Sequence, residues 1–267
     1  MTKNQPIILK LGGSIITQKH SGRPRIKKAI VWRLAKELKQ FIQRSPKTKI
    51  VLLHGAGSFG HPLVFRHQLL KHPLVGKQLL GFTETVCSTR LLANQLTDIF
   101  RAAKLPVLPL QASAVLNEKG GAMHLFNLHH VKQILAAGFI PLLGGDMSLT
   151  KENRAIVVSA DRLAVLLSQL FPNPRVIFAT NVNGIFEEFP PPDSRRPFPF
   201  LSRKNLKQLL KKITEQKNKY DATGGMVGKL RTLLSLRGRE VIIFNGLPPG
   251  ALFKALSGRP VGTRLKL

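Results

Sequence analysis

Three short apolar runs in this chain end on clusters of glycine, and that repetition constrains the fold more than any other feature. Ile7-Ile8-Leu9-Lys10-Leu11 runs into Gly12-Gly13-Ser14. Lys49-Ile50-Val51-Leu52-Leu53 runs into His54-Gly55-Ala56-Gly57, and Phe139-Ile140-Pro141-Leu142-Leu143 into Gly144-Gly145-Asp146. Continuous apolar runs of this length, stopped by turn residues, fit strands buried on both faces. Pro106-Val107-Leu108, Val176-Ile177-Phe178-Ala179 and Val241-Ile242-Ile243-Phe244 read as further short strands. Helical stretches separate them. Lys28 to Gln43 brings Ile30, Leu34, Leu38, Phe41 and Ile42 near one face, and Leu79 to Ala103 and Val131 to Ala137 also read as helical. Ser159-Ala160-Asp161 opens a helix that runs through Leu170, with Asp161 where the helix dipole favours an acid.

Strand–turn–helix units of this kind predict an α/β fold with a mostly parallel sheet covered by helices on both faces. Ligands of such sheets sit beyond the carboxyl ends of the strands, which is where the glycines fall. The 267 residues suit one large α/β domain or two small ones. The Pro-rich stretch Glu187–Pro199 reads as a surface loop rather than a domain boundary.

Charge and composition narrow the function. Lys and Arg number 42 against 13 Asp and Glu, a net charge of +29. Such an excess suggests nucleic acid as a partner. The basic residues, however, are spread along the whole length, and one Trp and one Tyr give no stacking platform. Any nucleic-acid binding is therefore expected to be unspecific and erased by salt. The single cysteine, Cys87, excludes an intramolecular disulfide and a cysteine-built metal centre. No segment approaches the roughly 20 apolar residues that span a bilayer. Met1 to Leu11 is too short and polar for a signal peptide, so a cytoplasmic location is expected.

The glycine turns carry the chemistry. After the first strand, Gly12-Gly13-Ser14 can turn backbone N–H groups toward a phosphate, with Lys10 beside it and Lys19 close in sequence. The second turn contains a G-x-G-x-x-G at Gly55, Gly57 and Gly60. A dinucleotide fold would need an acid about 20 residues on, at a strand end. Glu84 lies near that distance but inside a helix, so a phosphate cradle closed by His61 fits better. Asp221-Ala222-Thr223-Gly224-Gly225-Met226-Val227-Gly228-Lys229 is a lysine-ended turn suited to the outer phosphates of a nucleotide. It is not a P-loop, because Leu230 stands where a magnesium-binding hydroxyl would be. Acids are scarce, with only Asp146, Asp161 and Asp221 at or beside these turns, and no spacing predicts a metal site.

The order of these motifs resembles the amino acid kinase superfamily, and within it the isopentenyl phosphate kinases. The likeness rests on Lys10 to Ser14, Ile16 to Lys19, His54 to His61, Gly145-Asp146, Ser159 to Asp161, Thr223 to Lys229 and Val261-Gly262-Thr263. The block Gly57-Ser58-Phe59-Gly60-His61 points to the subgroup, with the fosfomycin kinases as the nearest alternative. The resemblance implies a three-layer α/β/α sandwich, a homodimer, and ATP with Mg²⁺ and a small-molecule phosphate as reactants. One domain would have an acceptor-binding lobe over about 1–170 and a nucleotide-binding lobe over about 171–267. It implies Lys10, Gly12, Gly13, Ser14, Gly57, Gly225 and Lys229 around ATP. Lys10, Lys19, His61 and Asp161 would be catalytic, Lys19 on the transferring phosphoryl group and Asp161 orienting the lysines. Ala56, Gly57, His61 and Gly145 would hold the acceptor phosphate. Phe82 and Val86, four residues apart on one helix face, would flank the acceptor tail or else pack together in the core. The chain departs from the family pattern at Ser159-Ala160-Asp161-Arg162, where Ser-Gly-Asp-Asp is usual. It departs again at Thr180-Asn181-Val182-Asn183-Gly184, where Thr-Asp-x-Asp-Gly is usual.

Overall fold

The computed structural model describes residues 5–18, 23–71, 73–119, 122–125, 128–188, 196–214 and 225–267. Along the chain these form β1 (Ile7–Leu11), α1 (Gly13–Ile16), α2 (Lys28–Arg44), β2 (Ile50–His54), α3 (His61–Arg66), α4 (Lys77–Ala102) and β3 (Val107–Leu110). Next come the hairpin β4 (Leu116–Lys119) and β5 (Ala122–Leu125), α5 (Leu128–Ala136), β6 (Ile140–Gly144) and a second hairpin, β7 (Asp146–Leu149) and β8 (Ala155–Val158). The chain ends with α6 (Ala160–Leu167), β9 (Arg175–Thr180), β10 (Phe200–Ser202), α7 (Arg203–Thr214), α8 (Gly225–Leu233), β11 (Glu240–Asn245), α9 (Ala251–Leu256) and β12 (Thr263–Lys266).

Eight strands make one sheet in the order β10-β12-β11-β9-β1-β2-β6-β3. All neighbours are parallel except the pair β11 and β12. β1 lies at the centre because it is buried on both sides, and its five residues are all shielded from solvent. Alternation along the strands divides the interior in two. Ile8, Val51, Leu53, Leu143, Val176, Phe178, Val241 and Ile243 face α5, α6, α7 and α8. Ile7, Leu9, Leu52, Ile177, Ile242 and Phe244 face α2, α4 and α9. This is the three-layer sandwich that the strand–turn–helix pattern predicts.

The strands and long helices lie within one to three residues of their predicted bounds. The sequence reading stops short of the two hairpins, β10 and β12, which lack long apolar runs. Ser159 is the N-cap of α6, its Oγ accepting from the N–H groups of Asp161 and Arg162 at 3.1 and 3.3 Å. At the far edge, Val261-Gly262-Thr263 is structural. A Cβ on Gly262, whose φ is +57°, would lie 2.1 Å from the Ile243 carbonyl oxygen, and Thr263 Oγ1 accepts from the Ile185 N–H at 2.8 Å. A buried acid that sequence reasoning passed over, Glu37 of α2, accepts from the N–H groups of Gly250 and Phe253 at 3.0 Å and so ties α9 down.

Candidate active site

The carboxyl ends of β1, β2 and β9 and the start of α6 enclose a cavity of about 590 Å³. Two glycine turns form its floor, and they pack backbone on backbone. A Cβ added to Gly13 would fall 2.6 Å from Gly57, and one on Gly55 would fall 2.6 Å from the Gly13 nitrogen. Gly57 is also in the left-handed region, at φ +52°, with Thr17 Oγ1 in the space a side chain would need. Glycine at 13, 55 and 57 is thus a packing requirement, whatever the cavity holds. Thr17, which sequence reasoning did not single out, fastens the two turns. Its Oγ1 donates to the Gly13 carbonyl at 2.8 Å and accepts from the Ser58 N–H at 3.2 Å. Lys27 Nζ donates to the Ser14 carbonyl at 2.8 Å, which steadies the first turn from outside.

Three charges meet on one wall. Lys10 stands two residues after Ile8 on β1, shares its face and so points to the α6–α8 side of the sheet. There its Nζ meets Asp161 Oδ1 in a short contact. Lys229, one turn into α8, donates to Asp161 Oδ1 and Oδ2 at 2.8 and 2.9 Å. Burial opposes ionisation of Asp161, but the charges of Lys10 and Lys229 outweigh it and hold the carboxyl at about 2. Burial and the Lys10 charge push the Lys229 ammonium down to about 7, against the pull of Asp161. One carboxylate therefore serves two ammonium groups, which leaves the wall with a surplus of positive charge.

His61 begins α3 and lines the same cavity, as do Ala56, Gly57 and Gly60. Gly145 approaches from the end of β6, its N–H donating to the His54 carbonyl at 3.0 Å. Asp146 is held away from the lysines, accepting from the Ser113 N–H and Oγ at 3.1 and 2.8 Å. Burial lowers the His54 imidazole to about 4, so it stands neutral behind the turn. Apolar residues Val64, Phe65, Met147 and Val157 line the side beyond His61.

Lys10, Gly12, Gly13, Ser14, Ala56, Gly57, His61, Gly145, Asp161 and Lys229 all border this one cavity. Gly225 opens α8, a turn before Lys229. Lys19, and Asp221 to Gly224 of the third turn, lie outside the described residues. Phe82 and Val86 do not reach the cavity. They pack into a small cluster with Val64, Leu69, Leu74, Met147 and Ala155, one layer behind the wall, and α4 presents Thr85 and Thr89 to the cavity instead. The helix carries its residues round at about 100° each, and 85 and 89 are the inward pair. Glu84, the acid a dinucleotide fold would use, sits on the surface and bonds His67 Nε2 at 2.7 Å. Of the departures from the family pattern, Asn181 lines the cavity, and Asn183 Oδ1 accepts from Asn245 Nδ2 at 2.9 Å.

Residues 5–245 match the amino acid kinase family. The chain belongs to that family. Among curated amino acid kinases, the isopentenyl phosphate kinase of Methanothermobacter thermautotrophicus is 33% identical over 97% of this chain and 98% of its own length. That of Methanocaldococcus jannaschii is 26% identical, over 97% of each. A crystal structure of an isopentenyl phosphate kinase superposes with a TM-score of 0.79 at 29% identity, covering 97% of this chain and 99% of that one. The family fold extends further: a UMP kinase of Bacillus anthracis superposes with a TM-score of 0.68 at 13% identity.

Proposed function

We propose that this amino acid kinase transfers the γ-phosphoryl group of ATP to isopentenyl phosphate, giving isopentenyl diphosphate and ADP. The observation that carries the reading is one cavity lined by His61 and the Gly55–Gly57 turn and also by Lys10, Asp161 and Lys229. The chain's likeness to isopentenyl phosphate kinases along nearly its whole length supports the same choice of acceptor.

The chemistry suits these residues. An acceptor phosphate oxygen is already anionic and attacks the γ-phosphorus directly, while the bond to the β-phosphate oxygen breaks and ADP carries away the electron pair. No strong general base is needed. The difficulty is to bring two polyanions together, and the protein does this with charge and position. His61 and the amides of the Ala56–Gly57 turn hold the acceptor phosphate, with Gly145 beside it. Lys10 and the first turn, Gly12 to Ser14, take the ATP phosphates. Lys229 meets them from α8 with Gly225 at its start, and Lys19 neutralises the group in flight. Asp161 keeps Lys10 and Lys229 at fixed positions. The lobe up to about 170 thus holds the acceptor and also brings Lys10 and the first glycine turn to the ATP phosphates, and the lobe beyond it adds Gly225 and Lys229 on the nucleotide side.

Among the described residues no cluster of three or more His, Cys, Asp and Glu side chains could hold a metal ion, and both cavity acids are engaged by protein groups. The described residues therefore offer no cage of their own for Mg²⁺. Magnesium, carried by the nucleotide, would supply charge neutralisation and would need little from the protein. The isoprenoid tail of the acceptor lies along Val64, Phe65 and Met147, with Phe82 and Val86 supporting that wall from behind.

Two expectations follow from these roles. Lys229→Ala should raise the ATP Michaelis constant and lower turnover, while acceptor-phosphate binding stays near wild type. Steady-state kinetics with each substrate varied checks this, and unchanged ATP parameters would contradict the role. Phe82→Ala should let Val64 and Met147 retreat and admit longer prenyl phosphates. It should also cost about 2 kcal/mol of stability, less than a fully buried Phe because Phe82 is half-buried. A stability loss with unchanged chain-length preference would make Phe82 a packing residue only.

The assembly is a homodimer in this reading, with a second copy covering the outer side of α4, where Leu79, Leu80 and Leu91 are exposed. Light scattering should give twice the 29.6 kDa of the chain. The function itself is tested by a panel of small acceptors with ATP and Mg²⁺, including isopentenyl phosphate, dimethylallyl phosphate, fosfomycin and acetylglutamate. Turnover of another acceptor but not of isopentenyl phosphate would overturn it.

A further inference from the structure

We infer that Phe178 is a positioning residue for the nucleotide-side lysines, its ring face forming a shared cation–π platform for the ammonium groups of Lys10 and Lys229. Phe178 lies in β9, directly opposite Lys10 of the neighbouring strand β1. Side chains in register on parallel strands leave the same face of the sheet, so Phe178 and Lys10 both rise toward α6 and α8. Lys10 Nζ stands 5.8 Å from the ring centroid and Lys229 Nζ 5.1 Å. Both are within the range where a ring quadrupole attracts a cation. The ring is fully buried, so water competes little for that attraction.

The wall needs such a partner. Asp161 supplies one negative charge against two positive ones. The excess ammonium is desolvated and repelled by its neighbour, which is why Lys229 is held well below the ordinary lysine range. The charged groups acting on Lys229 are Lys10 from β1 and Asp161 from α6. A second carboxylate would balance the charge, but it would also repel incoming phosphates. An aromatic face attracts ammonium groups without presenting a net negative charge to a polyanion. It also fixes where the two groups rest, since the ring cannot follow them.

This inference rests on the kinase reading only for its functional consequence. The titration of Lys229 in the free protein tests it separately. With ¹³C-labelled lysine, the Lys229 side-chain resonance is followed by NMR against pH in wild type, Phe178→Leu and a variant carrying 3,4,5-trifluorophenylalanine at 178. Fluorination keeps the ring's shape and drains its face of negative potential. Both variants should titrate lower than wild type, by about half a pH unit to one unit, because the ammonium form loses a stabilising partner. The alkaline limb of kcat/KM for ATP should move down by the same amount, since that limb reports the free enzyme. If the Leu variant fails to fold, the fluorinated ring alone decides the matter. An unmoved Lys229 titration in the fluorinated protein would make Phe178 a packing residue and overturn the inference. A moved titration without any kinase activity would uphold the platform and count against the proposed reaction instead.

Discussion

Replacing Asp161 with Asn should cost the protein about 3 kcal/mol of stability and lower kcat/KM for ATP by about a hundredfold. The carboxylate holds two ammonium groups within hydrogen-bond reach in a mostly shielded pocket, and its loss leaves both charges buried without a counter-ion. Asn keeps the size and one acceptor oxygen, so the effect isolates the charge. Its pH dependence has a definite sign. The Asp161 carboxyl is held at about 2, below its ordinary 3.8. A depressed acid stabilises the fold fully above its ordinary value, and that stabilisation is lost as pH falls from 3.8 towards 2. Wild type should therefore shed stability through that window, and Asp161→Asn should not shed this part. Denaturation midpoints measured from pH 7 down to 2 check it, and parallel curves for the two proteins would refute the pairing as an energetic device.

The second large effect belongs to His61. His61→Ala should raise the acceptor Michaelis constant and lower turnover, together costing about a hundredfold in kcat/KM for isopentenyl phosphate. The ATP Michaelis constant should move little, because in the proposed arrangement His61 meets the acceptor phosphate and not the nucleotide. Part of the loss should fall on turnover, since a donor to the acceptor phosphate helps most as the two phosphates close on each other. His61→Gln keeps a neutral donor and should retain more activity than Ala. Wild-type kinetics in the Ala variant would remove both the role and the subgroup reading that rests on it. The basic surface should behave differently from this site. Binding to unrelated DNA duplexes, measured by fluorescence anisotropy, should show no sequence preference and should fall steeply between low and near-physiological salt.

Much of this molecule was legible from residue order. Apolar runs stopped by glycine marked β1, β2 and β6, because a strand buried on both faces is mostly apolar and the close approach of the turns after β1 and β2 leaves no room for a Cβ at Gly13, Gly55 and Gly57. Lys10 stood out as a positive charge just before the glycine turn, where a phosphate would bind. The family resemblance rests on similar local signals, and the match over residues 5–245 bears it out.

Other features depended on contacts between distant segments. Gly13 and Gly57 are 44 residues apart in sequence, yet the Gly57 backbone leaves no room for a Cβ on Gly13, and the parallel pairing of β1 with β2 makes that so. Thr17 looked like an ordinary polar residue until the second turn came to lie against it. The pairing of Asp161 with lysines 151 and 68 residues away required β1, α6 and α8 to converge. Phe82 and Val86 have helical spacing that fits a cavity wall or a core equally well. The rotation of α4 decided it, turning Thr85 and Thr89 inward and leaving the two apolar residues a layer behind. Periodicity along one element specifies which residues share a face. Which neighbour that face meets is a property of the whole packed molecule, and there the sequence read element by element reaches its end.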